Sequence, residues 1–129
     1  MNAKSNQMFS ILMLLVGSLL VGFSMGHWLA PLAAWIGPVL IMRYYRDHKT
    51  GRGYSLILAA YILAFLIGFG EMWFAMRGVP MVIGLTVLYG VLWSLPYLAD
   101  RFLSPRLSGF SSTFVYPFAA ATIELVNIL

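Results

Sequence analysis

The chain has 129 residues, of which 61% are hydrophobic and 9% charged, with a net charge of +4. A soluble domain carries about 25% charged residues, so this composition excludes an ordinary water-exposed surface and places the chain in the membrane class. The basic excess does not point to nucleic acid, because Lys and Arg gather at the ends of apolar segments. There is no cysteine, which excludes disulfides, thiolate metal sites and a cysteine nucleophile within these residues.

Five apolar stretches reach or approach the ~20 residues a spanning helix needs. They predict an all-α, polytopic membrane bundle, a single transmembrane domain over 1–129 with helices near 8–25, 28–43, 54–74, 80–99 and 109–129. The first follows Lys4 as a signal peptide would, but it has no small-x-small cleavage site and further spans follow it, so it reads as a retained anchor. The second carries Pro31, suited to a first turn, and Pro38, which should kink the helix or free a carbonyl. The tight connection "SMGHW" makes the first two segments a helical hairpin, with a re-entrant second segment as the alternative.

Orientation follows from the basic residues. With the N-terminus cytoplasmic, Lys4, Arg43, Arg46, Lys49, Arg52, Arg101 and Arg106 fall inside and Arg77 alone outside, seven against one. Trp28 and Trp73 then sit at the outer interface, where amphipathic rings are favoured. "RYYRDHKTGR" reads as a cytoplasmic loop at the anionic leaflet surface, with His48 solvated. His27 and His48 lie on opposite sides and cannot share a metal.

Glu124 is the most informative position. It lies 15 residues past Gly109, ~22 Å along the fifth span at ~1.5 Å per residue. A carboxylate facing lipid costs several kcal/mol, so it should face the bundle or be protonated. Thr113, Pro117, Ala120, Glu124 and Asn127 follow steps of three and four on one helical face. That stripe suits either a polar site near a substrate or proton path, or a hydrogen bond between helices. Glu71, beside Trp73, reads as an interfacial carboxylate that reaches water or Arg77. Gly68, Gly70 and the Gly22–Gly26 pair are close-packing signals. No Gly-rich phosphate loop, Ser/His/Asp set or metal-ligand cluster is present, and no cofactor is expected.

Three stretches together, "GHWLAPLAAWIGPVLIMRYYRD", "GFGEMWFAMRGVP" and "FVYPFAAATIELVNIL", resemble the membrane domain of the apolipoprotein N-acyltransferases. The first is similar to that family's early hairpin, the second to its outer turn, the third to its fifth helix of the form P-x-x-W-x-x-x-E-x-x-R. Pro117 and Glu124 fall at the family's spacing. The tryptophan is absent, and Asn127 stands where the arginine is expected.

The resemblance implies a bacterial plasma (inner) membrane protein. In full-length members, eight helices carry an extracytoplasmic nitrilase-like domain whose Glu-Lys-Cys triad moves an acyl group from a phospholipid to a lipoprotein. It implies that this chain is the amino-terminal part of such a protein. It would anchor the catalytic domain and admit acyl chains from the outer leaflet, with membrane phospholipid and, through the missing domain, a lipoprotein as partners. Glu124, Asn127, Pro117 and Glu71 would line the polar region beneath that domain, with no catalytic residue here. The alternative is a complete small transporter or scaffold with an intramembrane carboxylate. Reporter fusions after Arg52, Arg77 and Leu129 check the topology: the first should be cytoplasmic and the other two external. A cytoplasmic reporter at both Arg52 and Leu129 overturns the five-span order.

Overall fold

In the computed structural model, residues 3–24, 30–48, 50–70, 72 and 79–128 are described, with side chains from Gln7 onward. They form α1 (Ala3–Phe23), α2 (Pro31–Asp47), α3 (Gly51–Gly68), α4 (Val79–Leu103) and α5 (Val115–Ile128). Two short 3-10 segments, Ser104–Arg106 and Gly109–Phe114, join the last two helices. Gly26, His27, Trp28, Lys49, Glu71, Trp73 and Arg77 lie outside the described residues.

Local chemistry sets the helix ends. Pro31 opens α2, where its missing N–H would have had no partner in any case. Thr50 caps α3, its Oγ1 accepting the Gly53 N–H at 3.2 Å. Between them, His48 closes α2: its N–H reaches the Tyr44 and Tyr45 carbonyls, and its ring stacks on Tyr44 at 4.5 Å. The stretch expected as a polar loop is therefore largely helical, because "RYYRD" continues α2 and only residues 48–50 lie between the two helices. What holds it helical is burial: Tyr44 and Tyr45 are 2% and 1% exposed.

The fifth segment differs too. Expected as one helix over 109–129, it begins as 3-10 turns and becomes α-helical only at Val115. Pro117 supplies the reason, since its ring clashes with the carbonyl four residues back, at Thr113, in a regular α-helix. Gly109, at φ 67°, takes the left-handed backbone that separates the two 3-10 segments.

The helices run alternately up and down. Gly17 meets Gly37, which sets α1 antiparallel to α2. Gly22 meets Ala64 and Ile67, so α3 runs with α1. Gly90 against Ile62 and Tyr89 against Phe65 turn α4 back. Tyr116 against Tyr97, and Asn127 against Tyr89, return α5. α1 packs on both α2 and α3, α3 on α4, and α5 mainly on α4. Every described arginine, Arg43, Arg46, Arg52, Arg101 and Arg106, consequently lies toward one end of the bundle.

Large apolar side chains cover much of the outside. Leu32 and Trp35 are 75% and 79% exposed, a surface that water would not tolerate and lipid would. Two helical stretches, Gly51–Gly68 and Val79–Arg106, are long and apolar enough to cross a membrane, and Gln7–Phe23 is a shorter apolar helix. α2 has 17 residues and α5 has 14. At ~1.5 Å per residue, α5 covers ~21 Å of a ~30 Å hydrocarbon layer.

Close approach depends on glycines. A Cβ on Gly37 would stand 3.0 Å from the Gly17 carbonyl oxygen, 3.1 Å from the Val21 nitrogen and 2.8 Å from a Val21 methyl. Two of those neighbours are backbone and cannot step aside. A Cβ on Gly84 meets nothing within 4 Å. Gly37→Ala should therefore destabilise the bundle by about 1–3 kcal/mol, because overpacking outweighs the helix-propensity gain. Gly84→Ala should stabilise it by about 0.5–1 kcal/mol. Unfolding midpoints in detergent micelles check the opposite signs.

Candidate functional site

Buried tyrosines, rather than carboxylates, carry the polar chemistry at the centre of this bundle. Tyr61 on α3 and Tyr97 on α4 are 1% and 0% exposed, and Tyr116 on α5 is half-buried beside them. The Tyr61 and Tyr97 hydroxyls lie 2.9 Å apart, and Tyr116 Oη donates to Tyr97 Oη at 3.1 Å. Tyr97 Oη donates to the Pro38 carbonyl of α2 at 3.4 Å. A phenol has one proton to give and two lone pairs. With its proton on Pro38, Tyr97 accepts from Tyr116 and from Tyr61, which fixes Tyr61 as a donor. One hydroxyl thus links four helices, and it has no capacity left for a ligand. The cluster is a structural pin.

A second pair lies toward the arginine end. Ser94 Oγ donates to the Val91 carbonyl at 2.7 Å, so Tyr54 Oη, 2.9 Å away, is the donor to Ser94. Toward the opposite end, Phe65, Phe69 and Tyr89 pack their rings 5.4–5.6 Å apart. Tyr89 Oη reaches across to the Asn127 side-chain oxygen at 3.0 Å.

Of the residues singled out in the sequence, Asn127 alone makes a described side-chain bond to another helix. Glu124 and Pro117 are exposed, and Ala120 is half-buried. Thr113 spends its hydroxyl on the Phe110 carbonyl of its own turn, at 2.6 Å. Glu124, expected to face the bundle or be protonated, is exposed on α5. Glu71 lies outside the described residues. Among the described residues, no group of three His, Asp or Glu side chains gathers to hold a metal.

No residue pattern signals the apolar groove of about 480 Å³ that lies between the end of α4 and the start of α5. Leu103 and Leu107 form one wall, and Phe114, Val115, Phe118 and Ala119 the other. Its two hydroxyls are spent on their own backbone: Ser111 donates to the Ser108 carbonyl and Thr122 to that of Phe118, each at 2.8 Å. The groove therefore presents hydrocarbon to whatever fills it.

A scan against protein-family models finds no match, and no curated protein or solved structure matches the chain. Function has to be argued from the residues themselves.

The tyrosine pin predicts an order of effects. Tyr97→Phe keeps the ring but strips two phenols of their acceptor, and should cost about 1–3 kcal/mol. Tyr116→Phe removes one donor and should cost about 0.6 kcal/mol, an ordinary intramembrane hydrogen bond. Unfolding titrations of the two variants in mixed micelles check the ranking.

Proposed function

We propose that the chain is a five-span module of a bacterial plasma membrane, with its arginine end cytoplasmic, that receives phospholipid acyl chains. On this reading it is the anchoring and lipid-access part of an apolipoprotein N-acyltransferase-like protein, and acyl transfer to a lipoprotein belongs to the complete enzyme. The observation that carries lipid access is the groove, lined mainly by apolar side chains and open to the outside. Its size suits a length of acyl chain, and at ~0.8 kcal/mol per buried CH₂ a few methylenes suffice for residence. The basic asymmetry supports the orientation. The groove lies toward the arginine end, so its acyl chain would come from the leaflet on that side. Access from the outer leaflet would instead concern the end that carries Glu124 and Asn127.

One observation favours a second reading, a scaffold that oligomerises through α5. Glu124 is exposed on an apolar helix, and a carboxylate facing lipid costs several kcal/mol unless another helix or a proton covers it.

Photoactivatable phospholipids in nanodiscs test lipid access. Adducts should concentrate on residues 103–122, and Ala119→Phe, which fills the groove, should lower them roughly fivefold. Labelling spread evenly over all lipid-facing helices, unchanged by Ala119→Phe, overturns the reading.

A further inference from the structure

The arginine end holds a second, polar cavity of about 150 Å³. It lies where α2 ends against the end of α4, and its lining is Tyr45, Arg46, Asp100, Arg101, Ser104 and Pro105. Two observations make it a built site. Two arginines, one from each helix, line one small space. Tyr45 is 1% exposed, and among the described residues no acceptor takes its hydroxyl proton, since Arg101 beside it can only donate. An orphaned buried hydroxyl is costly, and such groups are nearly always satisfied by a partner of some kind.

The surroundings say which kind. Tyr45 lies past the apolar stretch 28–43, where burial raises its hydroxyl above the ordinary value, Arg101 draws it back down and Asp100 pushes it up. Both charged neighbours therefore act on the hydroxyl whose proton lacks an acceptor. Asp100 contributes one negative charge against two arginines, which leaves the cavity net positive. Arg43, Arg52 and Arg106 at the same end add to that potential. The Tyr45 ring is fixed edge-on against Tyr97, centroids 6.0 Å apart, so the hydroxyl is held in place before any ligand arrives.

We propose that this cavity binds a phosphate group, with Arg46 and Arg101 gripping its oxygens and the Tyr45 and Ser104 hydroxyls donating to them. Guanidinium forks match phosphate oxygens in geometry as well as charge, and a phosphate supplies the acceptor that the Tyr45 hydroxyl lacks. The phosphate belongs either to an anionic phospholipid headgroup at this face of the membrane or to a soluble phosphate. The site does not depend on the acyl-chain reading of the groove, and the test separates the two.

Native mass spectrometry of the detergent-solubilised chain provides that test. The probes are phosphatidylglycerol, diacylglycerol with the same chains and no phosphate, and inorganic phosphate. The full chain should retain phosphatidylglycerol and release diacylglycerol if the headgroup is the ligand, or bind inorganic phosphate alone if the ligand is soluble. Tyr45→Phe keeps the ring packing and should weaken binding about fivefold, as for one lost hydrogen bond. Arg46→Gln and Arg101→Gln should each weaken it at least about tenfold, as for a charge-assisted bond. Arg106→Gln removes the same charge outside the cavity and should change binding less than about twofold. Circular dichroism confirms that each variant keeps its helices. Equal retention of phosphatidylglycerol and diacylglycerol with no binding of inorganic phosphate overturns the site. So does a loss in Arg106→Gln as large as that in Arg101→Gln. Phosphatidylglycerol binding that survives Ala119→Phe while groove labelling falls leaves the phosphate site standing by itself.

Discussion

The Tyr97 hydroxyl is the constraint on which the arrangement of helices depends. It gives one proton and takes two, and each bond goes to a different helix. Tyr61 and Tyr97 are closed off by the surrounding helices, so their hydroxyls are satisfied inside the bundle. α2 must therefore offer a carbonyl at Pro38, and α3 and α5 must bring Tyr61 and Tyr116 to the same depth. Glycines allow the approach that this geometry demands. Gly17 with Gly37, and Gly90 against Ile62, let backbones meet where a methyl group would collide. The packing is close and the polar point is saturated, which leaves the chemistry to the edges.

Those edges are unlike each other. At the arginine end, one apolar groove and one polar cavity lie near the C-terminal end of α4, divided by little more than the 3-10 turn at Ser104–Arg106. That pairing of hydrocarbon with guanidinium is the layout of a phospholipid itself, tail beside headgroup. At the other end, an aromatic cluster joins α3 to α4 and the Tyr89–Asn127 bond holds α5 to α4, while Glu124 stays open.

What was legible in the sequence was whatever composition alone decides. Runs such as "YSLILAAYILAFLIG" announce a long apolar helix, and α3 and α4 lie close to where hydropathy puts them. Local conflicts were harder to read. "RYYRD" looks like a polar loop by charge, yet Tyr44 and Tyr45 are core residues, because a tyrosine buries its ring wherever neighbouring helices close over it. The spacing rule for small residues pointed to Gly22 and Gly26; Gly22 does pack closely, on Ala64 and Ile67, while Gly26 lies outside the described residues. The decisive pair, Gly17 and Gly37, sits on two helices, and no spacing within either reveals the other. Pro117 was read for its place in a motif when its steric effect on Thr113 shapes the start of α5. Glu124 shows a different limit: periodicity groups residues on one face but does not say which way that face turns.

α5 differs from its neighbours in having essentially one of them. α1 is held by two helices and α4 by two, whereas α5 leans on α4 through the Tyr116 and Asn127 bonds and little else. In water, releasing such an element would mean melting it. In lipid it would not, because a helix satisfies its own backbone groups and can leave its dock intact. Were α5 to pivot on that contact as a rigid arm, the groove at its base would widen or narrow with its angle.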